Sequence, residues 1–343
     1  MTTSKRRKTG ALPIWASILL VIMPVAVSIA AMSIGRISYS VSEILQTIAD
    51  GISGKEAGGP LYIVIWNIRL PRVLLALLVG AGLSVAGCAF QSLFSNPLAT
   101  PDTLGVASGT SFGAALALLM GMSLIGVQIT ALLLGAVAVT LTWLAGAGKN
   151  KGKGLSSVVL SGIMIGSLFN SLVSLVKFTA DTETQLPAIT YWLMGSLSSA
   201  GYESLKLGAP PIIIGIIILY VIRWRLNVLP LSDDEAKSLG VNVNTLRVVT
   251  VICATMITAS CVSMCGQVGW VGLLIPHICR MAFGNNHRSL VPASISIGAC
   301  FMVIVDTIAR SASAAEIPVS ILTAIIGAPF FIILMRRSGG WRI

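Results

Sequence analysis

Charge is what this sequence has least of. Of its 343 residues only 10% are charged, with twelve acidic side chains against 23 lysines and arginines. Soluble domains carry about a quarter charged residues, so a water-soluble fold is excluded. Aromatic residues make up 6% and do not interleave with the basic ones on any one face, so the formal net charge of +11 does not describe a nucleic-acid surface. There are only two histidines, His277 and His287, and no His-Glu-x-x-His zinc motif. Gly-Lys pairs begin at Gly54, Gly148 and Gly152, but none is followed by Ser or Thr or preceded by a glycine five residues earlier. No Walker A loop exists, so the chain is expected to be no enzyme and to hydrolyse no ATP of its own. Six cysteines, among them Cys261 and Cys265 one helical turn apart, sit in apolar segments without a second pair. They read as core packing, and no metal site or cofactor is expected.

What is present in quantity is apolar chain. Hydrophobic residues reach 55% and the mean hydropathy is +0.91. Uncharged runs extend over Thr9–Gly35, Val73–Pro101, Thr103–Gly148 and Val248–Cys279, each long enough to cross a bilayer. At about 20 residues per crossing, eight to ten spans fit, and no sizeable soluble domain does. The expectation is an all-α polytopic membrane protein of about ten transmembrane helices, a single transmembrane domain over residues 1–343.

Basic residues set its orientation. Lys5-Arg6-Arg7-Lys8 precedes a retained first span, so the N-terminus is expected in the cytoplasm. Arg36 to Trp66 reads as an external amphipathic segment, Val73 to Phe94 as span two, and Gly121 to Gly126 as the turn between spans three and four. Lys149, Lys151 and Lys153 mark a cytoplasmic loop, and span five runs from Leu155 to about Val176. A short apolar piece, Ile189 to Leu197, follows outside. Later spans cover Leu207–Ile222, Val248 to about Met264, a short stretch ending near Arg280, Leu290–Ile308 and Pro318–Met335. Both termini then lie inside, with sixteen lysines or arginines cytoplasmic and seven external.

Two patterns invite a function. The cytoplasmic stretch from Leu229 to Arg247 holds Ser232 with Glu235 three residues on, a capping box, and Gly240 as a helix stop. A second short helix after Asn242 or Asn244 would make a helix-turn-helix knob, either a docking shape or a solvated connector. Span five carries Ser167, Asn170, Ser171 and Ser174 at three- and four-residue steps, one polar stripe on an apolar helix. It should face a pore or a partner helix, not lipid. An ion-coupled carrier would need an ionisable group at mid-membrane, whereas the charges here fall at span ends.

Asn67-Ile-Arg-Leu-Pro-Arg72, Gly87 to Gln91 with Asn96-Pro-Leu-Ala-Thr-Pro-Asp-Thr-Leu-Gly105, Gly269 to Arg280, Asp306 to Arg310, and Glu316-Ile-Pro-Val to Phe330 together resemble the FecCD family, the permeases of ATP-driven importers for iron-siderophores, haem and cobalamin. The resemblance implies a cytoplasmic-membrane protein working as a homodimer or with a close paralogue, two cytoplasmic ATP-binding subunits and an extracytoplasmic substrate-binding protein. It implies that the knob of Ser232, Glu235, Ala236 and Gly240 couples to the ATPase, and that Arg69, Arg72 and Arg310 meet acids of the binding protein. Arg310 also has Asp306 four residues earlier as a local partner. Spans five and ten would line the route, with a cytoplasmic constriction at Asn96, Leu98, Leu155 and Ser156. The breadth of the family favours an iron chelate such as a siderophore, with cobalamin or haem as alternatives and an ion-coupled carrier further behind.

Overall fold

The computed structural model describes residues 12–35, 37–54, 59–146, 155–313 and 315–337. The basic residues Lys5 to Lys8 and the lysines at 149, 151 and 153, which set the expected orientation, lie outside these. Among the described residues the chain is all helix, with no strand. Seven helical stretches are long and apolar enough to cross a membrane: α1 (Ile14–Ser33), a continuous stretch from Pro60 to Leu93, α6 (Leu124–Gly146), α7 (Leu155–Thr179), α9 (Tyr202–Val221), α11 (Val243–Cys265) and α13 (His287–Ser311). Three further apolar helices are shorter: α5 (Val106–Leu119), α12 (Val271–Phe283) and α14 (Val319–Arg337). At 1.5 Å per residue the 14 residues of α5 rise only about 21 Å, short of a hydrocarbon core of about 30 Å.

The segment expected outside as far as Trp66 divides in two. An amphipathic helix α2 (Val41–Ile52) starts at a capping box between Ser40 and Glu43, and the long helix starts already at Pro60. Proline at a first helical position lacks only a hydrogen bond that no helix start can make, so Gly59-Pro60 is a start signal. That helix comprises α3 (Pro60–Ile63), a π-helical turn (Val64–Arg69) and α4 (Leu70–Leu93). The apolar piece placed at Ile189 to Leu197 is a helix over Gln185–Leu193, α8. The turn between α5 and α6 falls at Gly121, with φ +66°, inside the expected 121–126.

Helix α4 is the axis of the packing. It lies against α9, α11, α12 and α13 and buries nearly every residue from Val79 to Leu93, among them Gly80, Ala81, Gly82, Ser84, Ala86 and Gly87. Small side chains let membrane helices approach closely enough for dispersion to hold them where lipid gives no hydrophobic drive. All six cysteines are buried and free; Cys265 Sγ donates to the Cys261 carbonyl at 3.0 Å, as a thiol does within a helix. No metal-holding group of His, Cys, Asp and Glu occurs among the described residues. The outer helices α1, α6, α7 and α9 are covered over only 22–28% of their apolar lengths, and α14 likewise leaves a long face uncovered by the rest of the chain.

Candidate functional site

The knob forms as its caps dictate. Ser232 accepts a hydrogen bond from Glu235 N at 3.4 Å, and Glu235 Oε2 accepts from Ser232 N at 3.0 Å and Ser232 Oγ at 2.8 Å. These bonds, the backbone one first, hold the Glu235 carboxylate below its usual pKa. The cap is therefore intact above the ordinary carboxylate value and fails only as pH drops past the lowered one. The short helix α10 (Asp233–Ser238) ends in a Schellman turn, with Val241 N donating to the Ala236 carbonyl at 3.2 Å and Gly240 N to the Lys237 carbonyl at 2.9 Å. Ala236 is fully buried, fastening the helix to the body of the protein. Gly240 has φ +71° and nothing within 4 Å of where a Cβ would sit, so backbone conformation, not side-chain bulk, demands glycine there. Asn242 Oδ1 then caps α11, accepting from Thr245 N at 3.1 Å, and Arg247 ties back to Asp233 at 3.0 Å.

The stripe on α7 is exposed throughout: Ser167, Asn170, Ser171 and Ser174 all lie on the face the chain leaves open. Ser171 and Ser174 spend their hydroxyls on the carbonyls of Ser167 and Asn170, at 3.0 and 3.1 Å. Asn170 makes no side-chain hydrogen bond among the described residues. Large apolar side chains flank the stripe, including Met164 at 61% and Leu168 at 51% exposure, while Phe169 and Val173 point inward at 5% and 8%. Leu168, next to Ser167 in the sequence, belongs to the open flank and not to a shielded face.

The loop after α4 meets the start of this helix. A Cβ on Gly162 would lie 2.2 Å from the Thr103 carbonyl oxygen, so glycine permits the backbone of Pro101–Leu104 to rest on α7. Earlier in the same loop Asn96 and Leu98 are exposed, with Asn96 Oδ1 accepting from Leu98 N at 2.9 Å to fix the turn. Ser156, in the first turn of α7, is exposed as well, and Leu155 opens that helix.

The arginines are not free surface cations. Arg69 and Arg72 are each only 8% exposed. The π-helical turn that ends at Arg69 shifts the helical phase and sets both inside the bundle. Arg72 Nε reaches both Asp306 oxygens at 3.0 Å, its Nη2 reaches Asp306 Oδ1 at 2.9 Å, and Nη1 and Nη2 reach Glu316 at 3.1 Å. Two carboxylates thus occupy two edges of one guanidinium. Arg69 donates to the Met32 and Ile37 carbonyls and lies over the Tyr39 ring at 5.0 Å. Arg310 donates to the Ala31 and Ile34 carbonyls, so two arginines serve the carbonyl end of α1, where positive charge is favoured. The expected Arg310–Asp306 contact exists at 3.8 Å, looser than the Arg72 pair. Arg69, Arg72, Arg310 and Glu316 line a cavity of about 350 Å³ that also touches Gly35 and Ile37, and with Asp306 buried behind Arg72 the cluster keeps one net positive charge. Reasoning along the sequence paired Asp306 with Arg310 only. An acid in an otherwise apolar run needs a cation, yet nothing local names one 234 residues away.

Comparison with known proteins agrees with this architecture. The profile of the FecCD transport family matches residues 19–337. The molybdate import system permease protein MolB of Haemophilus influenzae is 42% identical over 323 residues, 93% of this chain and 96% of that one. The Fe(3+)-citrate import system permease protein YfmE of Bacillus subtilis is 35% identical over 341 residues, 98% and 97% of the two chains. A solved chain described as an inward-facing conformation of a candidate metal-chelate type ABC transporter superposes with TM-score 0.84 at 40% identity, covering 94% of this chain and 99% of that one. The chain belongs to the FecCD transport family, as a multi-pass inner-membrane permease of an ABC importer.

Proposed function

We propose that this chain forms half of the transmembrane route of an importer whose cargo is an iron chelate, siderophores being the first candidates. The observation that carries this reading is the open polar face of α7; in this reading the Asn96–Leu98 loop closes the route at its cytoplasmic end. Hydroxyls and an unpartnered amide offer weak, exchangeable hydrogen bonds, suited to a bulky polar solute that must pass without being trapped. A second copy, or a close paralogue, facing α7 and α14 would close the route. Three short apolar helices complete ten crossings, and both termini lie inside. In the assembly two ATP-binding subunits grip the knob at Ser232, Glu235, Ala236 and Gly240, and an external binding protein presents acids to the cavity beside Arg69, Arg72 and Arg310. Since those arginines are already paired, docking works through the one surplus positive charge, setting encounter and orientation more than affinity.

Molybdate is a second reading, favoured by the 42% identity to a molybdate permease. Vesicles holding the permease, its ATP-binding subunit and its binding protein should accumulate a radiolabelled ferric siderophore only with ATP inside. Uptake of molybdate in its place would support the second reading. Uptake of either without ATP would contradict an ATP-driven importer.

The knob makes its own prediction. Gly240→Val forces a β-branched residue to positive φ, at a cost of about 1–2 kcal/mol, and should lower co-purification of the ATP-binding subunit. Gly240→Asn, which tolerates that conformation, should retain most of it. Equal yields with both variants would detach the turn from coupling.

A further inference from the structure

We infer that the groove between α1, α4, α9 and α13 is a binding site for one anionic phospholipid. The groove encloses about 1020 Å³. Its walls are apolar, from Leu20, Leu77, Ile216 and Ile295, and its mouth holds Arg223, Arg288, Tyr220 and Trp224.

Length comes first. Along α13 the lining runs from Arg288 to Ala299, about 16 Å at 1.5 Å per residue. That is half of a hydrocarbon core of about 30 Å, the reach of one acyl chain from headgroup to midplane. Charge comes second. Neither Arg223 nor Arg288 has an ion pair among the described residues. Arg223 is held in place, its Nη1 donating to the Tyr220 carbonyl at 2.6 Å and its guanidinium 4.0 Å from the Tyr220 ring centre. Its Nε is nevertheless buried and without a hydrogen-bond partner. A phosphate between the two arginines would answer a charge that no carboxylate among the described residues answers. Position comes third. Tyr220 and Trp224 stand where aromatic side chains settle at a membrane interface, and basic pockets between spanning helices suit anionic headgroups. None of the four helices is α7 or α14, so the groove is separate from the face assigned above to a second copy, and the proposal stands whatever the cargo.

The test is native mass spectrometry of the purified permease, delipidated in detergent and then offered equal phosphatidylglycerol and phosphatidylcholine of the same chain length. Wild type should retain one phosphatidylglycerol per chain, with a preference of about tenfold or more over phosphatidylcholine. The preference should fall to near unity in the Arg223→Gln/Arg288→Gln variant. It should also shrink in wild type as salt is raised before analysis, since charge carries it. No preference in wild type, or a preference unchanged in the double variant and by salt, would overturn the proposal.

Discussion

Asp306→Ala should destabilise the permease by about 3–5 kcal/mol, the usual cost of removing one partner of a buried ion pair. Asp306 is 2% exposed and answers Arg72 with three short contacts. Among the described residues, Arg72 would then keep one carboxylate, Glu316, and Arg310 would have none within 4 Å. Unfolding by SDS in mixed micelles would measure the change. Asp306→Asn preserves the shape but not the charge, and should still lose most of the stability. Arg72→Met combined with Asp306→Leu removes both ends of the pair, so it should cost less than the two single changes added together, as coupled neighbours do. A loss below about 0.5 kcal/mol for Asp306→Ala, the size of an ordinary surface change, would mean that the pair does not fasten α4 to α13.

This pair also shows where the sequence stops being legible. Caps and turns are local, and they read correctly: Ser232 with Glu235, the stop at Gly240 and the reversal at Gly121 are each set by residues within five positions of one another. Span identity follows from composition, because a bilayer demands uninterrupted apolar length. The start of the second span was missed because charge at Arg69 and Arg72 looked like a membrane boundary, when partners elsewhere in the fold pull both arginines inside the bundle. The π-helical turn that permits this leaves no mark in the residue pattern of Val64–Arg69.

The candidate site divides in the same way. The α7 stripe was visible from its spacing, since serine and asparagine stand out in an apolar helix. Which neighbours flank it was less visible, because Leu168 and Val173 are both apolar, and only packing decides that one is open and the other covered. The groove mouth at Arg223 and Arg288 is invisible to sequence reasoning, since nothing local links residues 65 positions apart.

The central claim is that the polar face of α7 lines a water-filled route, and its consequence is a labelling pattern that differs from one position to the next along the helix. A single cysteine replaces Asn170, Phe169 or Val173 in a background without the six native cysteines, and a membrane-impermeant maleimide is added to the assembled importer. Four aligned polar side chains gain nothing from lipid, and Asn170 has no side-chain partner among the described residues, so water should reach that position. Leu168→Cys, on the apolar flank at 51% exposure, distinguishes an open face against lipid from one against water. The account predicts strong labelling at position 170 that changes when ATP is trapped by vanadate, weak labelling at 168, and none at 169 or 173. Protection of position 170 in every nucleotide state, or equal labelling at all four positions, would contradict it.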